Sequence, residues 1–598
     1  MRRGPLALAV ILSVAVAHAD EVRLGGALGE RFDLTVRENI LKLDVEKDFF
    51  TPFVERKEKG GFIGLGKLAD ALVRFALHTD DPAVRALKDK VVAFILSNQQ
   101  EDGYTGCLRP ESRLRELWDI HEMGFIIQAL AADGELFGNR AALDGARRNA
   151  DGLIASWASL PKGWEEDTVS SWLRTLGLNY GLARLQAVTG DRRYGDFVRD
   201  VRGFATWNCP VVKGRDRLVK GHAYAYLGAC LEQLQLYRLE KDERLLQASR
   251  RALDFMLHRN GLLVDGAGGI CECWSDDQDG EGHVGETCMV AYLLMFCHEL
   301  QQLGIGDAAE IGDLMERAVY NALFAAQSRD GRRLRYYTPL NGVRQFWKGD
   351  LYCCPNNFRR AVARLPEFVF QADEKGVTAN LYTACRTSVK VDGTDVKIRE
   401  ETDYPKSGRI VFAFEPSAAK EFAFTVRLPR WCERPSVRVN GETVSEPCRP
   451  GRQLALTRLW RSGDTVELDL PMAVRAVRGR RRQAGRFAVM RGPVVYALDT
   501  RKIPEYKDFS PADVPTLMTM DPSWLHEENG AVYAFISTNS GETGFPANLA
   551  EGKLPPYFRR VKLEPFADED NTLTYFRPSN QDSPAIVDDE LLSGGGQD

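Results

Sequence analysis

The stretch GHAYAYLGACLEQLQLYRLEKDERLLQASRRALDFMLH, residues 221–258, decides the helical part of the fold. Apolar residues recur at three- and four-residue spacings before the polar stretch EKDE and again after it. This spacing places the apolar side chains of each segment on one face of a helix. The EKDE segment favours a turn. The stretch therefore predicts a helix, a short turn and a second helix.

The same unit recurs between about residues 66 and 364. Its first helices read KLADALVRFALHT, HEMGFIIQALAADGELF, SWLRTLGLNYGLARLQAVTG, GHAYAYLGACLEQLQLYRL and TCMVAYLLMFCHELQQL, and they begin near residues 67, 121, 171, 221 and 287. A period of about 50 residues is typical of an α-helical repeat array. Five or six helix pairs can close into an (α/α)6 toroid, and an open solenoid is the alternative. The number of pairs and the dissimilar units favour the closed toroid.

After about residue 375 the pattern changes to strands. Segments such as SVKVDG, RIVFAF, SVRVNG and TVELDL alternate apolar and polar residues, and VNGE is a strong hairpin turn. The predicted fold class is therefore multidomain α plus β, with an (α/α)6 toroid followed by an antiparallel β-sandwich region. We expect a helical domain at 20–370, a β-sandwich domain at 375–500 and a C-terminal region at 501–598 with partial β structure and a disordered tail, SGGGQD.

The charge balance excludes some partners. The chain has 598 residues, with 79 basic and 84 acidic side chains and a net charge of −5. There is no basic excess to attract nucleic acid or an anionic membrane. The basic run RGRRRQAGR at 478–486 is interpreted more simply as a solvated loop.

The N-terminus predicts export. Arg2 and Arg3 precede the short apolar run PLALAVILSVAVA, and AHA at 17–19 is typical of a cleavage site. We therefore expect a signal peptide at 1–19, cut after Ala19, and a secreted or periplasmic protein. No later run of 18 apolar residues occurs, so no membrane association is expected after cleavage.

Twelve cysteines in an exported chain usually indicate disulfides. Here the cysteine density is low, and several cysteines cluster with glutamates, which favours a metal site. One cluster is GETC, with Glu286 and Cys288, and another is YCCPNN, with Cys353 and Cys354. Residues one or two apart diverge by about 100° or 200° on a helix, so these side chains should lie in loops or at helix starts. Three thiolates and one carboxylate are a plausible tetrahedral zinc set; buried structural thiols and a surface glutamate are the alternative.

A third cluster is GICECW, at 269–274. Cys271 and Cys273 are either further zinc ligands or partners in disulfides. Glu272 lies beside Trp274, and an apolar neighbour raises the pKa of a carboxyl group, which suits a general acid. Most glutamates, however, are surface charges. The same structural interpretation applies to the other candidates, namely His222, Glu316, Tyr336 and His121.

The sequence resembles glycoside hydrolase family 127, the β-L-arabinofuranosidase-like group. The resemblance covers roughly residues 40–500 and rests on GETC, YCCPNN, GHAYAYL, LMERAVYNALF and RYYTPL, together with the β-region passage from REETDYPKSGRIVFAF to RGPVVYALDT. It implies an (α/α)6 catalytic barrel followed by β-sandwich domains. It also implies a Zn²⁺ ion whose ligands are Glu286, Cys288, Cys353 and Cys354.

The resemblance further implies the catalytic roles. Cys353 would be the nucleophile and Glu272 the general acid/base, with His222, Glu316 and Tyr336 lining the sugar site. The family carries further histidines where this chain has Phe125 and Thr175, and His121 is a possible substitute. The catalytic core thus matches better than the sugar pocket.

These observations predict an exported, zinc-dependent, retaining glycosidase that acts on an oligosaccharide or glycan. Zinc coordination deprotonates a thiol that is otherwise largely protonated at neutral pH. One alternative is the same chemistry on another rare pectin-type sugar. A polysaccharide lyase, which needs no thiol, is the second. A non-catalytic glycan-binding protein is the third, since a four-ligand zinc site is often structural.

Overall fold

The computed structural model describes residues 21–57, 62–115, 117–160, 176–201, 211–213, 221–506, 508–509, 514–539 and 557–592. The predicted signal peptide, the tail SGGGQD and the first residues of the helix expected near 171 lie outside these ranges. The α-helices are α1 (Gly26–Glu38), α2 (Thr51–Glu55), α3 (Leu65–His78), α4 (Pro82–Asn98), α5 (Leu117–Phe137), α6 (Arg140–Trp157), α7 (Leu178–Thr189), α8 (Arg193–Asp196), α9 (Ala223–Glu240), α10 (Gln247–His258), α11 (Thr287–Gln302), α12 (Ala308–Ala318), α13 (Cys353–Ala363) and α14 (Val514–Leu517).

A closed ring of inner helices forms the N-terminal domain. Within the described ranges, α3, α5, α7, α9, α11 and α13 each pack on the next, and α13 packs back on α3. An outer layer covers them, with α4, α6, α8, α10 and α12 each on the inner helix that precedes it and α1 on α13. The predicted (α/α)6 toroid is thereby confirmed.

Sequence composition explains which helix of each pair lies inside. Every residue from 223 to 236 of α9 is buried, as expected for a helix that neighbours surround. In α10 the buried residues recur along one face, including Ala248, Ala252, Phe255 and Met256, while the opposite face is polar. An inner helix is thus apolar on most sides, and its outer partner is amphipathic.

A buried ion pair stabilises the contact between α13 and α3, which closes the ring. Nε of Arg360, on α13, lies 2.7 Å from Oδ2 of Asp70, on α3. Burial raises the pKa of Asp70, but Arg360 and Arg74 lower it further than burial raises it, so the carboxylate stays charged. Removing Asp70 would take away the carboxylate that pairs with the buried Arg360, and the loss of one partner of a buried ion pair destabilises strongly.

The β-strands follow the ring. They are β1 (Glu21–Leu24), β2 (Gly342–Val343), β3 (Phe370–Ala372), β4 (Gly376–Ala379), β5 (Cys385–Val391), β6 (Thr394–Thr402), β7 (Arg409–Pro416), β8 (Lys420–Leu428), β9 (Ser436–Val439), β10 (Glu442–Thr443), β11 (Arg452–Trp460), β12 (Thr465–Asp469), β13 (Val474–Arg478), β14 (Phe487–Arg491), β15 (Val494–Ala497), β16 (Thr519–Met520), β17 (His526–Glu528), β18 (Ala531–Ser537), β19 (Phe558–Pro565), β20 (Asn571–Thr572), β21 (Tyr575–Phe576) and β22 (Ile586–Val587).

Two facing sheets build the predicted sandwich. One sheet has the order β1-β5-β6-β7-β12-β9-β10 and the other the order β11-β8-β4-β3. Aromatic rings fill the space between them: Phe424 of β8 lies 5.0 Å from Phe412 and 4.8 Å from Phe414 of β7, measured between ring centroids. The alternating burial of β5 and β7 supplies this core, because every second side chain points inward.

Two domain boundaries differ from the prediction. Strands β13 to β15, within the predicted sandwich domain of 375–500, belong instead to a C-terminal sheet of order β16-β18-β19-β15-β14-β13-β22. Strand β1, expected in the helical domain, pairs with β5 of the sandwich. Alternation identifies a strand but not its partner, so these pairings could not be read from the sequence. None of the described helices has the length and apolar character needed to span a bilayer.

Candidate active site

The candidate site lies at the N-terminal ends of three inner helices. His222 immediately precedes α9, Glu286 immediately precedes α11, and Cys353 and Cys354 are the first residues of α13. This agrees with the expectation that GETC and YCCPNN lie at helix starts. A helix N-terminus carries partial positive charge, which stabilises thiolates and carboxylates there.

Four buried side chains converge into a cluster. The donor atoms of Glu286, Cys288, Cys353 and Cys354 all lie within 4.8 Å of one another. Sγ of Cys288 is 3.1 Å from Sγ of Cys354, which in turn is 3.7 Å from Oε1 of Glu286. Asn357, one turn further along α13, donates a hydrogen bond to Sγ of Cys288 at 3.1 Å. We call these four residues the thiol cluster.

The thiol cluster has the donor set of a metal site. Its sulfurs are not joined, because Cys288, Cys353 and Cys354 are free thiols. The Glu286 side chain makes no capping hydrogen bond to α11, and its buried Oε2 has no hydrogen-bond partner among the residues that the structure describes. A buried carboxylate oxygen without a partner is costly, and a cation would satisfy it. The cluster can therefore hold a metal ion.

The three thiols of the cluster differ in acidity. Burial raises the pKa of Glu286, Cys288 and Cys354 well above their ordinary values. Burial also acts on Cys353, but hydrogen bonds from Cys288 and Cys354 outweigh it, and the pKa of Cys353 falls well below its ordinary value. Cys353 is thus the thiol of the three that most readily carries negative charge.

A tyrosine joins Cys353 to a carboxylate outside the cluster. The hydroxyl of Tyr336 donates a hydrogen bond to Oε1 of Glu272 at 2.6 Å and lies 3.5 Å from Sγ of Cys353. The other carboxylate oxygen of Glu272 is 3.7 Å from Nε2 of His222. The structure thus brings together Cys353, Tyr336, Glu272 and His222, which the resemblance assigns to one site.

The backbone holds Glu272 and Tyr336 in place. Glu272 adopts φ of 71°, in the left-handed region, and its carbonyl accepts a hydrogen bond from the N–H of Ala223 at 2.8 Å. The Tyr336 carbonyl accepts one from the first residue of α11, Thr287, at 2.9 Å. An unfavourable φ at a non-glycine residue costs energy and is concentrated at functional sites. These bonds fix both side chains relative to α9 and α11.

Trp274, two residues after Glu272, is buried in the core. Its indole is fully buried and packs on the rings of Tyr226 and Phe255, at 5.9 and 5.5 Å between centroids. The Glu272 carboxylate contacts Tyr336 and His222. Cys271 and Cys273 do not belong to the thiol cluster formed by the described residues.

Lys67 is a residue of this site that the sequence analysis missed. Its side chain is fully buried on α3, and among the described residues its ammonium has no hydrogen-bond partner. The ammonium lies 4.6 Å from the centre of the Phe125 ring and 5.8 Å from that of Tyr224. Burial lowers the pKa of Lys67, while the negative charge of Cys353 raises it. A lysine within the apolar run GKLADALVRF was the available signal.

His121 is connected to this group through Phe125. It is buried on α5, and its ring lies 4.9 Å from that of Phe125 and 5.2 Å from that of Trp118. Phe125 therefore lies between His121 and Lys67, at a position where the resemblance implies a histidine. Thr175 lies outside the described residues.

Glu316 was predicted to line the sugar site, and its contacts contradict this. Its carboxylate accepts hydrogen bonds from Arg427 and Tyr404, both at 2.6 Å, and from the Trp431 indole at 3.0 Å. These partners come from the β-sandwich segment, so Glu316 joins α12 to the sandwich. The sequence could not show this, because the partners follow Glu316 by 88 to 115 residues.

Two family models match the chain. The first, described as "Beta-L-arabinofuranosidase, GH127 catalytic domain", matches residues 41–367, and the second, described as "Beta-L-arabinofuranosidase, GH127 middle domain", matches residues 376–472. They coincide with the toroid and the sandwich. The protein is thus a glycosidase, which implies a glycan substrate. More narrowly, the chain belongs to glycoside hydrolase family 127 and is a β-L-arabinofuranosidase-like member of it.

Similar proteins agree with this assignment. The non-reducing end β-L-arabinofuranosidase of Bifidobacterium longum is 26% identical over 501 residues, which cover 72% of this chain and 74% of that protein. A GH127 β-L-arabinofuranosidase from Geobacillus stearothermophilus T6 has a TM-score of 0.73 at 20% identity, covering 93% of this chain and 100% of that one. A second GH127 β-arabinofuranosidase has a TM-score of 0.75 at 20% identity, covering 94% and 97%. These two structures share the fold.

Proposed function

We propose that the protein is an exported, zinc-dependent, retaining glycosidase that removes β-linked L-arabinofuranose from the non-reducing end of a glycan. Cys353 is the nucleophile and Glu272 the general acid/base. The contact that carries the proposal is the Tyr336 hydroxyl, which is 2.6 Å from Glu272 and 3.5 Å from Cys353. The proposed nucleophile and acid thus lie next to the same hydroxyl, close enough together to act on one glycosidic bond. The name of the Bifidobacterium relative supports the choice of sugar.

The donor set suits zinc. Zinc prefers tetrahedral sulfur, nitrogen and carboxylate ligands, and its bonds to sulfur are about 2.3 Å long. Two sulfurs on one tetrahedral zinc would lie roughly 3.8 Å apart. Cys288 and Cys354 lie 3.1 Å apart and need only a small side-chain movement to reach that distance. Bound zinc would keep the cysteines deprotonated and protect them from oxidation.

The first chemical step uses Cys353 and Glu272. The sulfur of Cys353 attacks the anomeric carbon and forms a carbon–sulfur bond, while the bond from that carbon to the leaving oxygen breaks. Glu272 transfers its proton to the leaving oxygen, so the aglycone departs as a neutral alcohol. Tyr336 orients the Glu272 carboxyl group through its 2.6 Å hydrogen bond. His222 contacts the other carboxylate oxygen and further fixes its direction.

The second step releases the sugar. Glu272, now a carboxylate, takes a proton from water, and the water oxygen bonds to the anomeric carbon. The carbon–sulfur bond breaks, and Cys353 leaves as a thiolate. Two inversions give net retention of configuration, as in other glycosidases with a covalent intermediate.

A screen of aryl glycosides tests the proposal. The panel should contain both anomers of L-arabinofuranoside and the corresponding pyranosides. We expect release of phenol from the β-L-arabinofuranoside and retained configuration in the first product seen by NMR. Hydrolysis of a different glycoside alone would assign another sugar to the same site. An inverted first product would exclude Cys353 as nucleophile.

A different rare sugar is the second candidate. The observation that favours it is the Lys67–Phe125 pair, with 4.6 Å between ammonium and ring centre, at a position where the resemblance implies a histidine. An ammonium over an aromatic ring offers a sugar a positive charge and an apolar face, whereas an imidazole offers one hydrogen-bond donor and one acceptor. The same screen separates the two candidates.

A further inference from the structure

Two aromatic side chains lie beside the site and are only partly buried. The rings of Trp347 and Tyr352 stack at 5.4 Å between centroids with an angle of 21° between their planes. Trp347 is half-buried, and Tyr352 is 37% exposed. We call these two residues the aromatic platform. A large aromatic ring at the surface is a frequent feature of binding sites, because it offers apolar contact area at low entropic cost.

The backbone holds the platform in an unfavourable conformation. Tyr352 has φ of 100° and ψ of 178°, a backbone conformation that residues other than glycine rarely adopt. The indole N–H of Trp347 donates a hydrogen bond to the carbonyl of Leu351 at 2.9 Å, and Asn356 donates one to the carbonyl of Tyr352 at the same distance. These bonds fix the exposed ring directly before Cys353.

Tyr336 connects the platform to the reacting groups. Its ring lies 5.2 Å from that of Trp347 and 6.3 Å from that of Tyr352. Its hydroxyl contacts Glu272 and Cys353. Because the general acid protonates the departing oxygen, it lies on the leaving-group side of the scissile bond. The platform packs against Tyr336, whose hydroxyl contacts this general acid, and Tyr352 of the platform is exposed to solvent.

We propose that the aromatic platform binds the sugar ring on the leaving-group side of the scissile bond. The C–H face of a sugar ring packs on an aromatic face, and the ring hydroxyls remain in water. The preferred substrate is therefore an oligosaccharide whose second residue is a sugar, and not any small β-L-arabinofuranoside. This inference rests on the proposed function.

The test compares two substrates with similar leaving groups. One is a disaccharide with β-L-arabinofuranose at the non-reducing end, and the other is methyl β-L-arabinofuranoside, which has no second ring. Tyr352→Ala should lower kcat/KM on the disaccharide about tenfold more than on the methyl glycoside, mainly through KM. Tyr352→Phe, which keeps the aromatic ring, should show the wild-type ratio of kcat/KM on the disaccharide to kcat/KM on the methyl glycoside. Phe509→Ala removes another exposed ring, 49% exposed in the C-terminal region, and should leave the ratio unchanged.

Binding gives a readout that does not depend on turnover. The Glu272→Gln variant should bind the disaccharide without hydrolysing it. Calorimetry should show weaker disaccharide binding by the double variant Glu272→Gln/Tyr352→Ala than by Glu272→Gln alone. Equal binding by the two proteins, or an equal loss of kcat/KM on both substrates, would contradict the proposal that the aromatic platform binds a sugar ring. If the wild-type enzyme hydrolyses no arabinofuranoside, the proposed function is wrong. The same calorimetry with the glycan that the enzyme does hydrolyse then tests whether the aromatic platform binds a sugar ring.

Discussion

The hydroxyl of Tyr336 lies 2.6 Å from Oε1 of Glu272 and donates a hydrogen bond to it. A hydrogen bond to a charged group contributes about 1.5–3 kcal/mol. Tyr336→Phe should therefore lower kcat/KM about tenfold to a hundredfold while the fold is retained. Steady-state kinetics and near-UV circular dichroism measure the two effects. Tyr337→Phe, the neighbouring residue, is the matched control, and an equal loss in both variants would contradict a specific role for Tyr336.

Glu272→Ala should lower kcat on natural glycosides by about two orders of magnitude or more, in line with general acid catalysis. The loss should be smaller on aryl glycosides with acidic leaving groups, because these depart without a proton. A series of phenols with graded acidity measures this dependence. Glu281→Ala, an exposed glutamate further along the same loop, serves as the control. A loss that does not vary with the leaving group would give Glu272 another role.

Zinc should copurify at about one ion per chain, since the four donors match one tetrahedral site. Cys288→Ser should lose both the metal and the activity. Cys297→Ser is a suitable control, because Cys297 is equally buried on the same helix but does not belong to the thiol cluster. Elemental analysis of both variants gives the result. An active enzyme without bound metal would rule out the site.

Cys353 and Cys354 should respond differently to alkylation. The pKa of Cys353 lies well below its ordinary value, whereas burial raises that of Cys354. After metal removal at neutral pH, iodoacetamide should therefore label Cys353 first, and this preference should decline as the pH rises and the other thiols ionise. In the intact enzyme a haloacetamide carried on L-arabinofuranose should also label Cys353. Peptide mapping identifies the site, and labelling of Cys354 alone would reverse the assignment.

Lys67→Met should stabilise the fold and impair catalysis. Burial lowers the pKa of Lys67 below 10.5, so the folded state disfavours its charge. The resulting destabilisation is fully present at pH values below the folded pKa and vanishes as the pH rises through 10.5. The gain in Tm should therefore be largest near neutral pH and shrink in alkaline buffer. We expect kcat/KM to fall about tenfold or more, since the unpaired ammonium can donate to a sugar oxygen. Unchanged kinetics would make Lys67 a structural residue.

The sequence was informative where the determinants are local. The start of α11 at Thr287 and the position of Cys353 at a helix start followed from spacing, and the resemblance joined Glu272 to them. Contacts between distant segments were not accessible. Glu316 is held by Arg427 and Trp431 of the sandwich, and Lys67 gains its role only when α3 meets α13. The same limit explains β13 to β15, whose alternation is clear but whose partners lie up to 110 residues away.

The closure of the ring has a consequence for how the enzyme matures. Asp70 and Arg360, whose ion pair joins α3 to α13, are 290 residues apart. A ribosome makes the chain from the N-terminus, so α13 is the last segment of the toroid to emerge. Glu286 and Cys288 are therefore synthesised before Cys353 and Cys354, and the proposed set of four metal donors is complete only when α13 has been made. The proposed metal site and the closed toroid are therefore completed in the same late step, and a nascent chain truncated before α13 lacks both.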